Sequence, residues 1–252
     1  EDTTSEVQEI LFDLERIEKG GYDYFMLKEI HEQPATFEDA FRGRLLVDEG
    51  NVKLGGLRHV QHKLRNARRI IITACGTSWH SALVAEYLIE NLAGIPVEVE
   101  YASEFRYRNP VIYPDDIVFA ISQSGETADT LAAIKEAKQK GATCCGIVNA
   151  VGSSIARETE AGIYIHAGPE IGVASTKAFT SQLAVFTLLA IYLGRMRNLS
   201  QAEGIKIAKD MTKIPQQIES ILANSDKIEA IAKKYASAKN FIYLGRSYNF
   251  PV

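Results

Sequence analysis

The sequence predicts an α/β protein: a doubly wound parallel five-stranded sheet flanked by helices, with added helices at both ends. Three observations predict it. Short continuous apolar runs, such as Arg69-Ile70-Ile71-Ile72-Thr73-Ala74, have the texture of strands buried on both faces of a parallel sheet. Between Arg68 and Ile165 these runs alternate with stretches of helical periodicity, the order that builds βαβ units. Glycine and small hydroxyl residues follow two of the runs, where such sheets present their ligands.

The elements follow in order. Over Ser5–Lys19, Val7, Ile10, Leu11, Leu14 and Ile17 recur at helical spacing and Gly20-Gly21 ends the run, giving an amphipathic helix that packs on something outside this chain. Helices are expected over Tyr24–His31 and Pro34–Phe41, with Pro34 suited to a first turn, and over Gly55–Arg65, where Leu57, Val60 and Leu64 share a face. Five strands are then expected at Ile70, Val97–Glu100, Asp116–Ile121, Cys144–Val148 and Gly162–Ile165. Helices at Ser78–Leu92, Ser103–Arg106, Glu126–Lys140 and Ser154–Glu158 separate them. Long helices Thr176–Arg197, Gln201–Met211 and Ile214–Tyr235 close the unit. The run Asn240–Ser247 repeats the apolar-Gly-hydroxyl pattern of the first strand and reads as another strand. The expected division is 1–40 as linker helices, 41–235 as the first unit, and 236–252 as the start of a truncated second unit.

Bulk composition narrows the function classes. With 46% hydrophobic and 24% charged residues the chain can build an ordinary core, and a net charge of -4 gives no reason to expect nucleic acid or an anionic membrane as partner. A phosphorylated ligand must therefore be held by a local site. Cys75, Cys144 and Cys145 do not form a disulfide framework; adjacent Cys144 and Cys145 on a strand point to opposite faces. The opening Glu1-Asp2-Thr3-Thr4-Ser5-Glu6 does not resemble a signal peptide, and Leu183–Leu193 is short for a bilayer, so a cytoplasmic location is expected. No metal or cofactor is expected.

Two loops could carry chemistry: Cys75-Gly76-Thr77-Ser78 and Ser122-Gln123-Ser124-Gly125-Glu126-Thr127. Each offers hydroxyls, a glycine for close backbone approach and the free N–H groups of a helix start, which together suit a phosphate. Ser and Thr after a strand can also be plain helix caps; three hydroxyls and an amide in the second loop exceed what a cap uses. Neither loop is a P-loop or a dinucleotide fingerprint.

These loops, with Ala102-Ser103-Glu104-Phe105-Arg106-Tyr107 and Glu170-Ile171-Gly172-Val173-Ala174-Ser175-Thr176-Lys177-Ala178-Phe179, resemble the isomerase (SIS) domain of the glutamine–fructose-6-phosphate aminotransferases in order and spacing. Lys28-Glu29-Ile30-His31-Glu32-Gln33-Pro34 is similar to the stretch joining that family's glutaminase and isomerase domains. Trp79 departs from the pattern, which has tyrosine there. The resemblance implies that Ser122, Gln123, Ser124 and Thr127 bind the phosphate of fructose 6-phosphate. It implies that Thr77, Ser78 and Val173 contact the sugar, and places Ser175 and Lys177 in the same site. It assigns no catalytic residue here: the family's general-base glutamate, ring-opening histidine and C-terminal lysine lie beyond Val252. The implied reaction adds ammonia to the ketone carbon and shifts a proton, giving glucosamine 6-phosphate.

Implied partners are fructose 6-phosphate and glucosamine 6-phosphate, a glutaminase domain and a second SIS unit of the same protein, and further copies in a homo-oligomer. Arg44, Gly55-Gly56, Gly152-Ser153-Ser154 and His166 resemble the eukaryotic pattern, which implies UDP-N-acetylglucosamine as a feedback inhibitor; turns and caps explain them equally. The alternatives are a non-catalytic SIS-fold sugar-phosphate sensor and a phosphoheptose-type isomerase. His59 and His62 are expected at the surface and His80 on a helix surface. Glu126 is expected to complement a helix dipole from the first turn, Arg65, Arg68 and Arg69 to lie on a solvated face, and Glu104, Arg106 and Arg108 to form ion pairs.

Overall fold

The structure, a computed structural model, describes residues 18–252; nearly all of the expected Ser5–Lys19 helix lies outside them. The described chain begins with helix α1 (Phe25–Phe41) and a small antiparallel hairpin, β1 (Leu45–Leu46) with β2 (Asn51–Val52). A 3-10 turn over Gly55–Val60 leads into α2 (Gln61–Asn66), and together they place Leu57, Val60 and Leu64 in the core. The main sheet follows: β3 (Arg69–Ala74), β4 (Val97–Tyr101), β5 (Asp116–Ser122), β6 (Thr143–Val148) and β7 (Ala161–Tyr164). Helices α3 (Gly76–Ala93), α4 (Ala102–Tyr107), α5 (Ala128–Gln139) and α6 (Ser154–Glu158) connect the strands. The chain then runs through α7 (Lys177–Arg195), α8 (Gln201–Met211), α9 (Ile214–Leu222) and α10 (Ser225–Lys234).

All five main strands are parallel, in the order β4-β3-β5-β6-β7. The order reverses between β3 and β5, which puts a crevice at their carboxyl ends. Alternation along the strands feeds two cores. Ile70, Ile72, Phe119, Ile121 and Cys145 face one layer with Ile89 of α3, Leu188 of α7 and Phe37 of α1. Ile71, Val118, Ala120 and Cys144 face the other, with Phe105 of α4, Ile134 of α5 and Ile155 of α6. The neighbouring cysteines thus serve opposite layers, as period-2 geometry requires. Helix α7 has the length and composition to cross a membrane, but 78% of its apolar window is buried here. It is the central helix of the first layer.

Four expectations change. The helix before Phe41 is continuous through Pro34. Proline lacks the N–H that would reach Ile30, and Gln33 Nε2 instead donates to the Ile30 carbonyl at 2.9 Å, so no acceptor is stranded. The helix expected over Ile214–Tyr235 is broken at Ala223-Asn224. There Asn224 Nδ2 donates to Ser220 O at 2.9 Å and Ser225 Oγ to Leu222 O at 2.5 Å, side chains taking over helix carbonyls.

The run Asn240–Ser247 is not a strand; Ile242, Tyr243 and Leu244 are 87%, 89% and 93% exposed. It pairs with neither edge of the sheet, and an unpaired extended segment has no stability of its own. Arg69, finally, is not on a solvated face. It donates at 2.6 Å both to Glu98 and to the fully buried Asp116, while Arg68 lies over the Tyr113 ring.

Candidate functional site

The two loops meet at the crevice. Cys75, Gly76, Thr77 and Ser78 from the β3–α3 turn, Ile121 to Ser124 and Thr127 from the β5–α5 turn, and Val173 to Ser175 from the loop before α7 line one cavity of about 410 Å³. No lining residue carries a fixed charge; the polar groups are hydroxyls, the Cys75 thiol, one side-chain amide and backbone.

The β5–α5 loop is held from within. Ser122 Oγ accepts from Gly125 N at 3.0 Å and pairs with Thr127 Oγ1 at 2.9 Å, and Ser124 Oγ accepts from Glu126 N at 3.2 Å. Thr127 occupies the N-cap position of α5, yet its hydroxyl does not cap the helix. No side chain caps α3 either. Two helix N-termini of 18 and 12 residues therefore open on one cavity with their first amides uncapped. Gly125 adopts φ +69°, and a Cβ there would lie 2.0 Å from Ser153 Oγ. Glycine is required twice, for the backbone angle and for the close approach.

The β3–α3 side is held from behind. Ser78 Oγ accepts from Gln182 Nε2 at 2.9 Å, and Gln182 Oε1 accepts from Ser81 Oγ at 2.8 Å. Gln182 and Ser81 are buried, so α7 fixes the start of α3 through a closed polar link. Thr77 adjoins it on the cavity wall. Trp79 stacks on Tyr101 at 4.1 Å.

The third wall is the segment before α7. Glu170 caps that helix: its Oε1 accepts from Thr176 N at 2.9 Å and Ala178 N at 3.1 Å, and its Oε2 accepts from Ser175 Oγ at 2.9 Å. Val173 is fully exposed at the mouth. Lys177 is not part of the lining. It is buried, with Nζ 2.6 Å from Glu32 Oε2 of α1, because the first helical turn rotates it toward that helix.

Of the nine residues singled out, Thr77, Ser78, Ser122, Gln123, Ser124, Thr127, Val173 and Ser175 share the cavity and Lys177 does not. Residues missed from the sequence are Glu170, which acts within its own loop, and Gln182 and Glu29, which act on the loops from distant segments. His80 Nδ1 faces the Pro251 carbonyl at 2.7 Å, and His59 Nε2 the Glu160 carbonyl at 2.6 Å. Glu126 precedes α5 and serves another helix: its carboxylate accepts from Ser154 N at 2.8 Å, at the start of α6, which holds it below the usual carboxylate range.

A sequence model of the SIS domain matches residues 63–192, half of the chain, including both loops and the sheet. The chain belongs to the SIS domain family. Among curated relatives of this SIS protein, the glutamine–fructose-6-phosphate aminotransferase of Chlorobaculum tepidum is 56% identical over 246 residues, covering 98% of this chain and 40% of that protein. The enzyme of the same name from Bacteroides thetaiotaomicron is 53% identical over 250 residues, covering 99% and 41%. The chain thus spans about 40% of the length of the curated relatives it matches. Among solved structures, the C-terminal domain of glucosamine-fructose-6-phosphate aminotransferase from Francisella tularensis superposes with a TM-score of 0.88 at 34% identity, covering 93% of this chain and 65% of that one. The expected SIS fold, a five-stranded parallel sheet between helical layers, is the observed one.

Proposed function

We propose that this chain is the first sugar-phosphate-binding unit of a glutamine–fructose-6-phosphate aminotransferase, holding fructose 6-phosphate for conversion to glucosamine 6-phosphate. The supporting observation is the convergence of Ser122, Ser124 and Thr127 with an uncapped helix start on a cavity whose opposite wall is Thr77 and Ser78. Phosphate is held by short N–H and O–H donors and the α5 dipole, and the sugar hydroxyls extend toward Thr77, Ser78 and the Val173–Ser175 wall. Amination and the proton shift need a positioned acid and base. The lining contains no carboxylate, imidazole or amine, so this unit contributes binding, and the acid–base groups belong to another part of the protein.

Titration with fructose 6-phosphate, read by calorimetry or by the fluorescence of Trp79, the only tryptophan in the sequence, should saturate. Unphosphorylated fructose should bind at least about tenfold more weakly, since charge-assisted hydrogen bonds to phosphate exceed neutral ones. Equal affinity for the two sugars refutes the reading. Ammonia and fructose 6-phosphate should yield no glucosamine 6-phosphate with this chain alone.

In the same proposal, residues 1–40 join a glutaminase domain and 236–252 open a second SIS unit. The whole protein is a cytoplasmic homo-oligomer. UDP-N-acetylglucosamine as a feedback inhibitor, and with it a eukaryotic kinship, is a finer part of the same proposal, and two of the residues that suggested it also have structural roles. Arg44 donates to the Ala40 and Tyr164 carbonyls at 3.1 and 2.8 Å, and a Cβ at Gly56 would lie 2.1 Å from the Gly162 carbonyl of β7. Saturable heat with that nucleotide sugar supports this part of the proposal, and a flat trace on folded protein overturns it.

A further inference from the structure

The Val173–Ser175 wall is not held by its own segment alone. Glu29 of α1, only 2% exposed, reaches across 142 positions of sequence to accept from Ile171 N at 2.5 Å, and from Gly172 N at 3.1 Å with each carboxylate oxygen. Gly172 lies so close that a Cβ would sit 2.5 Å from Glu29 Oε2 and 3.3 Å from the Met26 Cα. One residue later, on the other side of the clamp, Val173 projects fully exposed at the cavity mouth. The same helix turn anchors the far end of the wall, since Glu32 Oε2 lies 2.6 Å from Lys177 Nζ, which is 3% exposed. A buried carboxylate receiving adjacent backbone amides is a strong and directional tether, and an alternative loop path would leave that charge without donors.

We propose that Glu29 is a positioning residue for the sugar side of the cavity: by gripping the Ile171 and Gly172 amides it sets the Val173–Ser175 wall against the ligand, while the phosphate cradle Ser122–Thr127 stands independently of it. This rests on the reading of the cavity given above. It predicts a division that a general loss of stability would not produce, because the cradle belongs to the β5–α5 loop and makes none of its hydrogen bonds to α1.

The test is a pair of titrations, inorganic phosphate and fructose 6-phosphate, on the 252-residue chain and its variants, with thermal melts to establish folding. For Glu29→Ala, fructose 6-phosphate affinity should fall about tenfold while phosphate affinity changes by less than about twofold, the loss of one charged hydrogen-bond set on the sugar side only. Glu29→Gln, which keeps an acceptor oxygen, should recover most of the difference. Gly172→Ala, which pushes the carboxylate off the amides, should reproduce the Glu29→Ala pattern. Should Glu29→Ala not fold, Glu29→Asp carries the same expectation, since its shorter side chain no longer spans the gap. Equal losses for both ligands, or none for either, overturn the positioning role and leave the cavity reading intact. An unsubstituted chain that saturates with neither ligand overturns the cavity reading itself, and this inference with it.

Discussion

Gly125 concentrates the demands on the site in one residue. Its φ of +69° and the 2.0 Å approach of Ser153 Oγ to a would-be Cβ leave no room for a side chain. Gly125→Ala should cost about 1–3 kcal/mol of stability and abolish saturable phosphate binding, as measured by thermal melts and calorimetry. The cysteines give a second residue-scale prediction. Burial pushes the Cys144 thiol up to about 12 and raises Cys145 as well. In native protein at pH 8 a chromogenic disulfide reagent should therefore label only the half-buried Cys75 quickly, and all three thiols after denaturation. The unfolded chain releases these protons at about pH 8.5 and the folded one does not, so stability should be full below that pH and fall as pH rises toward 12. Replacing both buried cysteines by alanine should flatten that alkaline slope in urea titrations.

At the scale of elements, the helix starts do most of the work. Ser200 Oγ accepts from Glu203 N at 3.2 Å while Glu203 Oε2 accepts from Ser200 N at 3.1 Å, a capping box that starts α8. Ser200→Ala should cost about 1 kcal/mol in chemical denaturation and leave ligand binding unchanged. The α3–α7 link behaves differently, because Gln182 joins two buried serines, one of them on the cavity. Gln182→Leu should cost about 2 kcal/mol and also weaken fructose 6-phosphate binding, since Ser78 and Ser81 lose their partner. The five main strands and the start of α8 were legible because apolar runs and a polar cap such as Ser200 are local signals. The continuity through Pro34 and the break at Asn224 were not. Both turn on which side chain captures a particular carbonyl, Gln33 at Ile30 in one case and Asn224 at Ser220 in the other.

For the whole molecule, the arrangement of charge matters more than its sum. The net charge is -4, yet the cavity lining is uncharged and its donors are backbone amides and hydroxyls. Phosphate affinity should accordingly change by less than about twofold between 50 and 200 mM salt, unlike that of a site built on exposed lysines and arginines. Calorimetry at the two ionic strengths decides it. The elements combine to the same end: parallel pairing sets β3 beside β5, and this adjacency brings two loops 44 positions apart in sequence (78 to 122) onto one crevice.

The sequence by itself determined the five strands, their parallel character and the two loops that line the cavity, because buried strands, glycine turns and hydroxyl-rich helix starts are written in consecutive residues. Thr77, Ser78, Ser122, Gln123, Ser124 and Thr127 belong to those loops and line the cavity, as do Val173 and Ser175, which only the family resemblance points to. Only the tertiary structure decided that Lys177 turns away to Glu32, that Arg69 is drawn inward by Asp116, and that Glu126 serves α6. It alone revealed Glu29 and Gln182 as supports of the cavity walls. The physical reason is one of range: a cap or strand signal acts within a few residues, whereas a buried charge or amide is oriented by whichever partner the packed layers bring to it.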